Sequence, residues 1–322
     1  MKKTLFIIAY LGPLNEYQRY AITQLTLIEG LDLALILDNK SYYTEKEKFD
    51  CFVYCSDEVF NSNNEYGIKI SDIKNHPYKL CDFKPILNKI FNVFDEDEYD
   101  FLGFGDLDCV FNPLVLGNKI KDINDINAVF GDRGHFMVFG KKTLSIIQNE
   151  IWDSVLIYRK KNLDLFNPKK GYAIDEFFFL HPILDTLDKK RILKWDRNYF
   201  RPLLDVDYKN LVPKNMPDVR FSFSGLSIKE NNMNSKLSYI HLQKRSLIGE
   251  LDYRDKKKIY YFDIDLDGRV EISEKKITPY DYRLSKVFCF GIKVFYKRIK
   301  YRLYNYGLKN RPRLRGNNEI TS

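Results

Sequence analysis

Hydrophobic and polar positions form two kinds of stretch through the first part of the chain. Short apolar runs predict strands at residues 5–10, 33–37 and 51–54, and an amphipathic stretch at about residues 15–29 predicts a helix after the first of them. Strands that alternate with helices are typical of a mostly parallel sheet whose strands are joined by crossover helices. The pattern therefore predicts an α/β fold.

The pattern continues with further elements. Five more apolar runs predict strands, at residues 99–105, 128–130, 136–139, 260–264 and 270–272. A helix is predicted at residues 85–94, and another is predicted to begin near Asp175 and Glu176, because acids are favoured in the first turn of a helix. The last two runs flank Asp267-Gly268, which is typical of a hairpin turn.

Composition places the chain among ordinary globular proteins. It has 322 residues, of which 44% are hydrophobic, so it can bury a large core. Its five cysteines are an odd number and form no CxxC pair, which argues against a disulfide framework and against a zinc site. The first ten residues resemble a signal peptide, but their apolar run is short and favours a first buried strand. No segment reaches the roughly 20 apolar residues needed to cross a bilayer.

Charge separates the chain into two parts. The net charge is +8, and residues 284–322 hold ten Lys and Arg against one acid, so residues 1–283 are nearly neutral. We predict one domain at residues 1–283 and a basic tail at 284–322.

From Lys286 to Tyr306, apolar residues recur at steps of three or four with lysines opposite, which indicates an amphipathic helix. Such a helix suits an anionic membrane surface, and the alternative is a terminal helix packed on its own domain.

Two aspartates carry the clearest chemical signal. Asp106 and Asp108 follow a wholly apolar strand, and open α/β sheets bind ligands at the carboxyl ends of their strands. Hard carboxylate oxygens suit Mg2+ or Mn2+, which also bind phosphate oxygens of a substrate. A second Asp-Leu-Asp at residues 265–267 precedes Gly268 between two short strands, and we assign it to a solvated turn. Context therefore favours the first copy as a metal site.

A second cluster contains an imidazole and two cations. His241 can ligate Mn2+, and Lys244 and Arg245 can neutralise a diphosphate. The alternative is a half-buried strand with exposed basic ends. His135, in a turn before an apolar run, either contacts substrate or is simply hydrogen-bonded.

Two further groups of charged residues are candidates. Lys79 and Lys84 can face phosphates, and Asp82 can face a base or a ribose hydroxyl; the alternative is a loop of solvated charges ahead of a helix. Asp175 or Glu176 can act as the general base for an attacking hydroxyl, or can simply reflect the preference for acids at a helix start.

Five segments together resemble bacterial polysaccharide-biosynthesis glycosyltransferases of the GT-A type, namely residues 10–13, 37–39, 77–85, 99–108 and 241–245. The resemblance covers roughly residues 1–250. It implies a single Rossmann-type nucleotide-binding domain that uses a nucleoside-diphosphate sugar, with UDP favoured, and Mn2+ or Mg2+.

The resemblance also assigns roles by position. Asp108 would coordinate the metal, Asp106 would contact the ribose or reach the metal through water, and His241 would complete the metal shell. Tyr10 and Asp38 would lie at the nucleotide. The catalytic base of inverting members falls at Asp175 or Glu176.

The expected function is therefore a metal-dependent glycosyltransferase of the hexosyltransferase type. It would pass a sugar to a saccharide or lipid-linked saccharide in surface polysaccharide synthesis, in the cytoplasm at the inner face of the cell membrane. One alternative is a haloacid-dehalogenase-like phosphatase that uses Asp106 as its nucleophile. Another is a non-enzymatic membrane-binding or nucleic-acid-binding protein driven by the tail, although no nucleic-acid-binding module is recognisable.

Overall fold

The computed structural model describes residues 2–93, 98–172, 174–175, 179–204, 221–230, 233–242, 247–248, 251–252, 254–255, 257–264 and 270–273. The predicted basic tail, Lys244, Arg245, Glu176 and the second Asp-Leu-Asp lie outside these residues.

Strands and helices alternate along the described chain. The strands are β1 (Thr4–Tyr10), β2 (Leu31–Leu37), β3 (Phe52–Cys55), β4 (Phe101–Gly105), β5 (Cys109–Phe111), β6 (Ala128–Phe130), β7 (Phe136–Gly140), β8 (Lys194–Asp196), β9 (Pro202–Leu204), β10 (Phe221–Phe223), β11 (Ile228–Glu230), β12 (Met233–Asn234), β13 (Tyr239–His241), β14 (Leu247–Ile248), β15 (Tyr260–Ile264) and β16 (Val270–Ser273). The helices are α1 (Glu16–Leu25), α2 (Asn39–Glu45), α3 (Ser56–Val59), α4 (Ile70–Asn75), α5 (Leu80–Phe83), α6 (Leu87–Ile90), α7 (Pro113–Asp122), α8 (Lys141–Lys160) and α9 (Leu180–Lys189). Two 3-10 turns, at Pro77–Lys79 and Lys84–Ile86, flank α5.

A seven-stranded sheet forms the centre of the fold, in the order β3-β2-β1-β4-β7-β6-β8. The first four strands of this order are parallel to one another. Strand β7 is antiparallel to both of its neighbours, and β8 runs parallel to β6. Only β7 therefore runs against the common direction, which confirms the predicted α/β fold with a mostly parallel central sheet.

Both faces of this sheet are covered. Along β1, Leu5 and Ile7 belong to one buried cluster, whereas Phe6 and Ile8 belong to another on the opposite face. This alternation follows from the period of two along a strand. Helix α8 contributes Leu144 to the first cluster. A sheet that is buried on both sides needs nearly continuous apolar strands, which is the sequence pattern of β1, β2 and β4.

Two smaller sheets complete the described structure. One has six strands in the order β12-β11-β10-β15-β16-β14 and contacts α1, where the Tyr20 ring lies 5.4 Å from the Phe223 ring and 5.8 Å from the Tyr260 ring. Its antiparallel β15 and β16 confirm the predicted strands of the hairpin. In the other sheet, β13 lies between β5 and β9 and carries residues 239–241 to the end of the central sheet.

Two predictions about helices are wrong, and two long helices are missing from the prediction. The helix predicted at residues 85–94 is replaced by a 3-10 turn that contains Pro85 and by α6, which ends at Ile90, and Phe91 forms a β-bridge with Phe60. The helix predicted to begin near Asp175 begins at Leu180, and Asp175 lies in a turn. Helices α7 and α8 were not predicted, although Asn112 and Pro113 form an ordinary helix start. Within the described residues, no helix combines the length and the apolar character needed to span a membrane.

Candidate active site

The predicted aspartates lie at the carboxyl edge of the central sheet. Asp106 follows β4 directly, and Asp108 immediately precedes β5. Because β1 and β4 are parallel neighbours, Tyr10 at the end of β1 lies at the same edge. Asp38 follows β2 at this edge as well. This is the edge at which open α/β sheets bind their ligands.

Strand pairing brings two histidines to the two aspartates. In the antiparallel β4–β7 pair, Gly105 lies opposite Phe136, so His135 lies beside Asp106, and the Asp106 amide donates to the His135 carbonyl at 3.1 Å. In the antiparallel β5–β13 pair, His241 lies opposite Cys109, next to Asp108. The register of two strand pairs thus assembles residues that are distant in sequence.

Donor atoms of these residues lie close together. One ligand atom each from Asp106, His135 and His241 lie within 4.8 Å of one another. His241 Nε2 lies 3.3 Å from Asp108 Oδ1. The rings of His135 and His241 are stacked, with centroids 3.5 Å apart and an angle of 20° between their planes.

These residues fit a divalent metal ion. Asp108 Oδ1 and His241 Nδ1 are buried, and among the described residues neither has a hydrogen-bond partner. Two donors bound to one ion at about 2.0–2.2 Å lie roughly 2.8–3.6 Å apart when they subtend 90–110°. The 3.3 Å between Asp108 Oδ1 and His241 Nε2, the other ring nitrogen, falls within this range. A set of carboxylates and imidazoles suits Mn2+ and related ions.

The protonation states also suit a metal site. Burial lowers the pKa of His135 well below its usual value, and the nearby His241 and Lys84 lower it further, so its ring is neutral and keeps a lone pair. Burial alone would raise the pKa of Asp108, but the contact with His241, together with the charge of Lys84, outweighs burial and holds the pKa at about 2. Asp108 is therefore a carboxylate at neutral pH.

Lys84 joins this site to a third carboxylate. Its ammonium lies 2.8 Å from the Asp106 carboxylate, 2.9 Å from Asp175 Oδ2 and 2.9 Å from the Gly134 carbonyl oxygen. Burial would lower the pKa of Lys84, but Asp106 and Asp175 more than compensate and raise it well above its usual value. Lys84 is therefore charged, although its side chain is only 6% exposed.

The pKa of Asp106 itself is raised. Burial is the largest cause and the neighbouring Asp108 adds to it, while Lys84 opposes both.

The six side chains that meet here are called the sheet-edge cluster: Lys84, Asp106, Asp108, His135, Asp175 and His241.

Two glycines allow these close approaches. A Cβ atom on Gly134 would lie 2.3 Å from Asp175 Oδ2, and a Cβ atom on Gly105 would lie 2.3 Å from the His135 carbonyl oxygen. Both distances are far shorter than any real contact of a Cβ atom. Glycine at these positions is therefore what lets Asp175 and His135 reach the cluster.

Lys79 and Asp82 lie apart from the cluster, and their role at the donor stays a prediction. Lys79 is 2% exposed, and its ammonium lies 2.6 Å from Asp82 and donates at 2.8 Å to the carbonyl oxygens of Leu165 and Lys170. Asp82 also accepts from the Tyr172 amide at 2.8 Å. These contacts use all three ammonium hydrogens of Lys79, so the pair ties two chain segments together instead of facing solvent.

Asp38 has a local contact of its own. Its side chain accepts from the Ser41 amide at 2.7 Å and so caps α2, and both Asp38 and Tyr10 are half-buried at the sheet edge. Their proposed contacts with a nucleotide stay predictions.

The sequence alone does not place His135 at the metal, nor Lys84 between two carboxylates. The available signal for His135 was a turn that ends in Gly-His just before an apolar run. If that run paired antiparallel with the strand before Asp106, His135 would reach the same edge. No local pattern could reveal that pairing.

The sequence matches the DUF6625 family, described as a family of unknown function, over residues 6–268. The chain belongs to this family. The DUF6625 match contains all six members of the sheet-edge cluster and ends before the basic tail. No curated protein matches the sequence.

Among solved structures, this DUF6625 protein is similar to the apo form of the glycosyltransferase GlyE from Streptococcus pneumoniae TIGR4. The alignment covers 64% of this chain and 48% of that chain, with 11% identity and a TM-score of 0.36. The DUF6625 chain thus spans about half the length of that structure, and a likeness this low transfers no property from it.

Proposed function

We propose that this protein is a metal-dependent glycosyltransferase. It would move a hexose from a nucleoside-diphosphate sugar, with UDP preferred, to a hydroxyl of a saccharide or lipid-linked saccharide in surface polysaccharide synthesis. The observation that carries the proposal is the meeting of Asp106, Asp108 and His241 at the carboxyl edge of a mostly parallel sheet.

The charge of the cluster supports a metal and a diphosphate. Asp106, Asp108 and Asp175 contribute three carboxylates, and Lys84 contributes one ammonium. When all four are ionised, one divalent cation balances the remaining negative charge. The diphosphate of a donor would bind the same metal, and Lys244 and Arg245, which follow His241 in sequence, would neutralise its charge.

Each part has a chemical task in this proposal. Bound Mn2+ or Mg2+ would stabilise negative charge on the departing diphosphate. The bond between the anomeric carbon and the phosphate oxygen breaks as the acceptor oxygen bonds to that carbon, and the hydroxyl proton passes to Asp175 in an inverting displacement. Lys84, at 2.9 Å, holds the Asp175 carboxylate in a fixed orientation. Glu176 is the other candidate for this base.

A thermal-shift panel tests this function. We expect one nucleoside diphosphate, UDP first, to raise the melting temperature in the presence of Mn2+ and much less after chelation, because a ligand that binds the native state stabilises it. The absence of a metal-dependent shift with every nucleoside diphosphate would contradict the proposal. Metal-dependent hydrolysis of simple phosphate monoesters that is lost in Asp106→Asn would instead support the phosphatase alternative.

We also propose that residues 284–322 hold the protein at an anionic membrane surface, on the cytoplasmic side. Two features of the tail support this: it carries the whole excess of positive charge of the chain, and its apolar residues recur at the spacing of an amphipathic helix. A lipid-linked acceptor would lie at the same surface.

A further inference from the structure

We propose that His135 is a ligand of the same metal ion, and that the resulting centre, with two imidazoles, selects a transition-metal ion such as Mn2+ or Co2+ over Mg2+. This inference rests on the proposed function and deepens it, because it states which metal the site takes. It assigns a role to a histidine that the sequence pattern alone does not place at the metal.

The position of His135 is the first support. Its ligand atom lies within 4.8 Å of those of Asp106 and His241. The Asp106 amide holds the His135 carbonyl at 3.1 Å, and Gly105 permits that approach. The backbone therefore fixes His135 beside the metal-facing aspartate before any ion binds.

The arrangement of the two rings is the second support. They stack at 3.5 Å with nearly parallel planes, and His135 is 7% exposed and His241 5% exposed. Each ring therefore keeps a nitrogen within 4.8 Å of the Asp106 ligand atom, and binding of one ion in the plane of both rings requires them to tilt out of this stack.

The donor set then determines the choice of metal. Mg2+ prefers a nearly ideal octahedron of oxygen atoms and usually keeps several waters. Imidazole nitrogen suits later transition metals, whose affinity for such sites rises along the first row. A centre with Asp106, Asp108 and two imidazoles therefore favours Mn2+ or Co2+ over Mg2+. A centre with one imidazole would show a smaller preference between these ions.

Pulsed EPR of the full-length protein with bound Mn2+ tests the inference, because it detects nitrogen nuclei bonded to the ion. The probe is Mn2+ alone, with protein carrying 15N-labelled or unlabelled histidine. We expect wild type to show two coordinated imidazoles and His135→Asn to show one. His76→Asn, which alters a histidine outside the cluster, is the matched control and should keep two.

Metal titrations supply a second measurement. Loss of His135 should weaken Mn2+ and Co2+ binding by at least about 10-fold, as changes around metal ligands commonly do. Mg2+ binding should change little, so the Mn2+ to Mg2+ preference should fall in His135→Asn and stay as in wild type in His76→Asn.

The possible failures are distinct. A single coordinated imidazole in wild type, with a metal-dependent UDP shift intact, would overturn the inference and leave the proposed function standing. Equal preference for Mg2+ and Mn2+ in wild type would overturn it as well. Absence of any divalent-metal binding would overturn both. If His135→Asn does not fold, the wild-type spectrum alone decides the number of imidazoles.

Discussion

At the scale of single residues, Lys84 is a buried cation that pairs with two carboxylates. Its buried ammonium has carboxylates at 2.8 and 2.9 Å, those of Asp106 and Asp175. Charges removed from water are tolerated only when they are paired closely, and loss of one partner leaves the other uncompensated. Lys84 therefore both stabilises the fold and sets the positions of two candidate functional carboxylates.

Replacing Lys84 by methionine should be strongly destabilising. We expect Lys84→Met to lower the free energy of unfolding by about 3–5 kcal/mol, as when one partner of a buried ion pair is removed. Adding Asp175→Asn to this variant should restore part of the loss, because it removes one of the unpaired charges. Urea denaturation at neutral pH measures all three proteins.

The exposed Lys142 on α8 provides the control. Lys142→Met should stay within about 0.5 kcal/mol of wild type. If Lys84→Met were as stable as Lys142→Met, the ion pairs of Lys84 would contribute nothing and its assigned position would be wrong.

At the scale of elements, the site depends on the register of two strand pairs. Pairing of β4 with β7 delivers His135, and pairing of β5 with β13 delivers His241. A shift of one residue in either pair would turn the histidine to the other face of its strand. Metal binding should therefore be sensitive to changes in strand packing that touch no ligand.

Gly105→Ala tests this dependence. The new Cβ atom would lie 2.3 Å from the backbone oxygen of His135, which cannot move without displacing the start of β7. We expect a loss of about 1–3 kcal/mol in the free energy of unfolding, as in other overpacked cores, together with weaker Mn2+ binding. Calorimetric Mn2+ titration and urea denaturation measure the two effects.

Gly171→Ala is the matched substitution, since a Cβ atom there meets nothing within 4 Å. It should bind Mn2+ like wild type. Unchanged Mn2+ affinity in a folded Gly105→Ala protein would show that the β4–β7 register does not position the site.

Much of the element structure follows from local pattern. The strands β1, β2 and β4 are continuous apolar runs, so a buried mostly parallel sheet and the site at its edge could be predicted. Asp175 shows the limit, because its place is set by Lys84 and Gly134 and not by a helix start. His135 shows the same limit. The pairing of strands and their register depend on contacts between segments that are distant in sequence.

At the scale of the whole molecule, charge is divided between a nearly neutral body and a basic tail. Each basic residue near an anionic bilayer contributes about 1 kcal/mol of binding, and added salt screens the attraction. If the tail is the membrane contact, binding should depend on tail lysines and little on body lysines.

Four substitutions in the full-length protein test the tail. Changing Lys286, Lys293, Lys297 and Lys300 to glutamine should weaken partitioning to vesicles that contain phosphatidylserine by roughly two to three orders of magnitude. Sedimentation with vesicles measures the effect. The control changes four exposed lysines of the described body to glutamine, namely Lys40, Lys142, Lys160 and Lys190. Equal losses in the two proteins would contradict a specific role of the tail.

The central claim is that Asp108 helps to hold a metal ion at which the diphosphate of an activated sugar binds. Its most direct test is release of UDP from UDP-sugars by wild type and by Asp108→Asn, with and without Mn2+. Asp153→Asn, at an exposed position on α8, is the control. We predict Mn2+-dependent release by wild type and by the control, and a loss of at least about 100-fold in a folded Asp108→Asn protein, as when one stabilising contact to a developing charge is removed. Full Mn2+-dependent release by Asp108→Asn would contradict the account.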